Sequence, residues 1–263
     1  MARDPRTGKP LNVTKSRRKK QYIETREGPW LAIQDTDIIP LANGDISDYQ
    51  ISWRSKQYNL QREDGILGLT RLKGPRATAA HKSLLLALED ERPSVRVSAL
   101  KALPEVATQK SDELFDWLSV LLDDKDVSVR QAASEALAIS APVFPSGVDI
   151  IIHNELRSFE PNRSKQAFKG LESLCEAWPE VACDHIDELF LETDAELRLK
   201  GAKLLGRVLV KSGHIGWDLV SWALNDDDPR VRRAAAKTLP KLSKVDTRIA
   251  TIFLSLIHIS EPT

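Results

Sequence analysis

The sequence predicts an all-α solenoid, a stack of about six helix-pair units behind an N-terminal capping segment, and three observations carry that expectation. The pair Val95-Arg96 recurs every 34 residues as Val129-Arg130, Arg163-Ser164, Leu197-Arg198 and Val231-Arg232, with Gln61-Arg62 one step earlier. Four places on, the same steps land on small residues: Gly65, Ala99, Ala133, Ala167, Gly201 and Ala235. Eight places on they land on leucine: Leu69, Leu103, Leu137, Leu171, Leu205 and Leu239. A fixed period of this size marks stacked helical units, each of which buries its apolar face only against its neighbours.

Taken in order, residues 1–20 contain Pro5, Gly8 and Pro10 and almost no large apolar side chains, so they cannot offset their ordering entropy and are expected to be a disordered arm. The arm holds eight basic residues against Asp4, a charge of +7, which leaves −7 on the rest of a chain whose formal net charge is zero. Lys15, Arg17, Arg18, Lys19 and Lys20 form its densest stretch. Residues 21–60 are expected to cap the first repeat. Their apolar patches up to residue 45 are broken by Gly28, Pro29 and Asn43-Gly44 and read as extended, and a short helix is expected from Ser47, with Tyr49, Trp53 and Leu60 at helical spacing.

Residues 61–253 hold the repeats. First helices are expected over about 77–89, 111–123, 147–157, 182–191 and 214–225, where Leu84, Leu118, Ile152, Ile186 and Val220 keep the 34-residue beat. Second helices follow acidic turns and open at Pro93, Pro161 and Pro229, because proline at the first helical position gives up only a donor that would be unpaired there. Asp228 is an expected N-cap, and Thr193 with Glu196 an expected capping box. Positions 95, 99, 102, 103 and 106 fall in one narrow sector and form the core stripe. Arg62, Arg96, Arg130, Arg198 and Arg232 lie at its edge, near acidic turns, and are read as a structural ladder.

The string of acidic turn, proline or valine, Val-Arg, then alanine and leucine at fixed offsets, seen in Asp90–Leu103, Asp124–Leu137 and Asp226–Leu239, resembles the HEAT repeat family. The resemblance covers about residues 61–253 and is weakest at Arg163–Leu171, where Ser164 replaces the arginine. It implies a right-handed superhelix with second helices lining the concave side, used to hold proteins or nucleic acids. Residues 254–263 resemble a translated sequencing adapter and are expected to be a non-native tail, with the natural C-terminus missing.

On the solvent face of the second helices stand Lys101, Glu135, Lys165, Lys169, Leu199, Lys203, Arg233 and Lys237, five lysines and an arginine among eight. Lys101, Lys165, Lys169, Lys203, Arg233 and Lys237 are therefore the candidate binding track, suited to an acidic segment or to phosphates. No catalytic, cofactor or metal site is expected. The repeated His-Glu pairs of metal-dependent HEAT-type hydroxylases are absent, since His81, His153, His185, His214 and His258 are followed by Lys, Asn, Ile, Ile and Ile. Cys175, Cys183 and His185 span an inter-helix turn and read as small packed residues rather than zinc ligands. Neither a secretory signal nor a membrane-length apolar run is present in the sequence, and a cytoplasmic setting is expected. The sequence thus reads as a non-catalytic protein-binding scaffold or adaptor. The alternative is a nucleic-acid-binding HEAT protein, with a glycosylase-like DNA-repair activity as its enzymatic form, although Trp117, Trp217 and Trp222 fall on first helices, away from the track.

Overall fold

Pro93, Pro161 and Pro229 each open a helix, and the acidic residues before them close the turn that precedes it. In the computed structural model, residues 27–108, 111–212 and 216–242 are described. The basic arm with Lys15, Arg17, Arg18, Lys19 and Lys20, the tail at 254–263, and His214 and His258 lie outside them. The chain divides into two compact units, Met1–Ala107 and Thr108–Thr263.

In the first unit, a 3-10 turn (Pro29–Ala32) leads to α1 (Ile38–Asn43), the strands β1 (Tyr49–Trp53) and β2 (Lys56–Leu60), then α2 (Arg62–Gly68), α3 (Ala77–Leu88) and α4 (Pro93–Val106). Helices α1 and α2 pair, α3 and α4 pair, and α2 packs on α4. The expected loop up to residue 45 is thus partly helical. The expected helix from Ser47 is instead an antiparallel hairpin with Tyr49 opposite Leu60 and Trp53 opposite Lys56. Tyr49, Ile51 and Trp53 alternate with exposed Gln50 and Ser52, and Arg54 and Ser55 both take positive φ (48° and 62°), as a tight two-residue turn requires. Residues four apart share a face in a strand as well as in a helix, so the Tyr49–Trp53 spacing did not discriminate between the two. Tyr49 Oη donates to Asp37 Oδ2 at 2.7 Å and ties the hairpin to the start of α1.

The second unit holds α5 (Asp112–Leu121), α6 (Val127–Ser140), α7 (Pro145–Glu155), α8 (Pro161–Ala177), α9 (Pro179–Phe190), α10 (Ala195–Ser212), α11 (Trp217–Leu224), α12 (Pro229–Ala236) and α13 (Leu239–Leu242). Successive helices pair as α5–α6, α7–α8, α9–α10 and α11–α12, and the second helices stack in the row α6, α8, α10, α12. The fold is all-α and of the helix-pair repeat class. None of the six periodic leucines is more than 3 % exposed, and Ala99, Ala133, Ala167 and Ala235 are fully buried beneath them. The buried sector is wider than the expected stripe, since Arg96, Ser98 and Leu100 of α4 are buried too. The last second helix is split into α12 and α13 just before Pro240, whereas α4 runs unbroken through Pro104 at the same repeat position.

Helix starts are set by short side chains. Asp126 and Asp228 accept from the backbone N–H two residues on, at 2.8 and 2.7 Å. Ahead of α10 this role falls to Asp194, which accepts from Glu196 N at 2.9 Å. The expected capping box of Thr193 and Glu196 is therefore displaced by one residue, and the Glu196 carboxylate pairs with Arg230.

Candidate functional site

Four of the turns between paired helices are locked by the arginine six residues after them. Arg96 Nη1 donates to the carbonyls of Asp90 (2.7 Å) and Glu91 (3.0 Å). Arg130 does the same to Asp124 and Lys125, Arg198 to Glu192 and Thr193, and Arg232 to Asp226 and Asp227. A guanidinium with several donors satisfies carbonyls that the end of the first helix leaves open. Arg198 also forks onto Asp226, 28 residues ahead, and Arg62 pairs at the same offset with Asp90 while its Nε donates to Ala42 O. Burial pushes the Asp90 carboxyl up, but the Arg92 N–H and the Arg62 charge outweigh it and hold Asp90 below the ordinary carboxylate value. In the weakest repeat, Ser164 Oγ donates to Leu156 O, and Arg163, one place early, pairs with the buried Glu155, which also accepts from Ser119 Oγ.

The lysines behave differently. Lys101, Lys165, Lys169, Lys203, Arg233 and Lys237 are all exposed, and none of them forms an ion pair among the described residues. Lys169, Lys203 and Lys237 hold one repeat position on the stacked helices α8 and α10 and just after α12, so three cations share one face. Leu199 does not join that face: it is only 9 % exposed, and Leu197, expected in the core, is half-exposed instead. The departure is confined to the first turn of α10, because Gly201 and Leu205 are buried and Lys203 is exposed as the repeat requires. Elsewhere in the second unit, Arg198, Asp226 and Trp222 line an open groove of about 700 Å³ beside the α9–α10 turn, with Trp222 60 % exposed.

Family models named HEAT repeats and HEAT repeat match residues 82–150 and 219–245. These two segments are HEAT repeats. Among solved structures, the archaeal HEAT-like repeats protein from Thermococcus onnurineus NA1 is 16% identical, over 90% of this chain and 98% of that one, with a TM-score of 0.45. The CpcE and CpcF complex of phycocyanin lyase from Nostoc sp. PCC7120 is 17% identical over 89% and 90%, with a TM-score of 0.38. A computationally designed armadillo repeat protein for modular peptide recognition is 12% identical over 79% and 99%, with a TM-score of 0.39. No curated protein matches the sequence.

The thiols of Cys175 and Cys183 are pushed up by burial, to about 12 and about 11, which leaves them protonated and weak as nucleophiles or ligands at neutral pH. His185 points away from them, toward α7, where its Nε2 lies 2.7 Å from Asp149 Oδ1. His153, His185 and Glu188 converge there, although no histidine of the chain is followed directly by glutamate. The signal that finds it is the pair of helical spacings Asp149/His153 and His185/Glu188 on first helices one repeat apart. No helix among the described residues is long and apolar enough to cross a membrane.

Proposed function

We infer that this protein is a non-catalytic scaffold that holds an acidic segment of a partner protein along the exposed lysine face of its second helices. The observation that carries the reading is the contrast between two basic series of one period. The arginines are occupied by turn carbonyls and carboxylates, whereas Lys169, Lys203 and Lys237 are exposed and have no intramolecular counter-ion among the described residues. Stacked helices lie about 8–10 Å apart, and a partner in the polyproline-II conformation advances about 3.1 Å per residue with three residues per turn, so acidic side chains at every third position share one face and match the ladder. Exposed cations raise the association rate and select against basic partners.

An acidic peptide of that spacing should bind the full chain with strong salt dependence, and reversing Lys169, Lys203 and Lys237 together to glutamate should weaken it about 100-fold. The same titration with duplex and single-stranded DNA separates the nucleic-acid alternative, which predicts tighter binding of DNA than of the peptide at equal salt. Binding of peptide by the triple variant as tight as by the wild type overturns the scaffold reading.

A further inference from the structure

We propose that Asp149, His153, His185 and Glu188 form a binding site for a first-row divalent transition metal ion of the zinc class. Asp149 and His153 stand one turn apart on α7, and His185 and Glu188 one turn apart on α9. Each pair therefore presents two side chains on one helix face; His153, His185 and Glu188 converge as the ligands, and Asp149 stands behind His185. One ring nitrogen of His153, one of His185 and a carboxylate oxygen of Glu188 lie within 4.8 Å of one another. His153 Nδ1 and Glu188 Oε2 are already 3.5 Å apart. Zinc-type bonds to nitrogen and oxygen are about 2.0–2.2 Å long, so side-chain adjustments of about an ångström close the set.

Three features single this cluster out from an ordinary surface group. His185 is 4 % exposed, and an Asp149 carboxylate that accepts from its Nε2 leaves the lone pair of the neutral ring on Nδ1. That atom is buried and has no hydrogen-bond partner, an unmatched acceptor that a Lewis acid satisfies. A histidine held by a carboxylate on its second nitrogen is also the arrangement that orients metal-bound imidazoles. Finally, Arg157 donates to Glu188 and Glu192, fixing the first and neutralising one charge. Three carboxylates against one guanidinium leave −2, the complement of a divalent cation. Two imidazoles select zinc-class ions over calcium and magnesium, which prefer oxygen alone.

The test is titration of the full chain with Co²⁺, read by its visible absorption, followed by displacement with Zn²⁺. The wild type should give one saturable band per chain that Zn²⁺ abolishes, and Zn²⁺ should raise the melting temperature. His153→Ala and Glu188→Gln, both at accessible positions, should weaken Co²⁺ binding about 100-fold, and Asp149→Asn about 10-fold. His81→Ala should leave it unchanged. A wild type with no saturable band, or His153→Ala and Glu188→Gln variants that bind Co²⁺ as the wild type does, overturns the proposal.

Discussion

A single methyl group separates two glycines that hold the same place in the repeat. A Cβ on Gly65 would sit 2.5 Å from Ala42 N and 2.8 Å from Leu41 C, backbone atoms of α1 that cannot give way. On Gly201 it would meet nothing nearer than Leu189 Cβ at 3.4 Å. Gly65→Ala should therefore cost about 3 kcal/mol by overpacking. Gly201→Ala should be neutral or stabilise by about 0.5–1 kcal/mol, because alanine loses less backbone entropy in a helix. Urea denaturation of both variants checks the contrast. Asp228 carries a pH dependence. The Arg230 guanidinium, helped by the Arg230 N–H, holds its carboxyl down to about 2 against an ordinary 3.8. A depressed carboxyl contributes stability that is present above its unfolded value and is lost as pH falls through its folded one. The stability gap between wild type and Asp228→Asn should thus be constant above about pH 5 and shrink between pH 3.8 and about 2, as followed by thermal melts.

At the level of elements, helix positions were legible because three independent signals agree: the 34-residue beat, proline at the first turn and short acidic caps. Expected first helices at 77–89 and 182–191 correspond to α3 (Ala77–Leu88) and α9 (Pro179–Phe190). The hairpin was not legible from residues four apart, because that spacing fits both periods. Its decisive mark, two consecutive left-handed residues at Arg54 and Ser55, has no glycine to announce it. Ser55→Gly should accordingly stabilise the hairpin by about 1 kcal/mol, visible as a raised melting temperature, since glycine takes φ of 62° without steric cost. The burial of Leu199 in the first turn of α10 was hidden for a related reason. Leu197 and Leu199 are both apolar, and packing rather than pattern decides which one turns inward. The His153–His185 cluster was harder to read, because its members are 32 residues apart, no one helix contains the set, and only the two helical spacings taken together point to it.

For the molecule as a whole, the repeat sorts its charges by position. Arginine beside the core stripe closes turns, while lysine on the opposite face stays in water. Lysine is the fitting residue for that outer place, since a mobile, strongly hydrated ammonium can follow a partner's carboxylates without the fixed fork of arginine. Carbodiimide cross-linking, which joins a carboxylate directly to a lysine amine it touches, tests the claim most directly. With the acidic peptide bound to the full chain, linkage should fall on Lys165, Lys169, Lys203 and Lys237 and fade with added salt. Linkage concentrated on Lys82 and Lys125, or left unchanged when Lys169, Lys203 and Lys237 are reversed to glutamate, would contradict it.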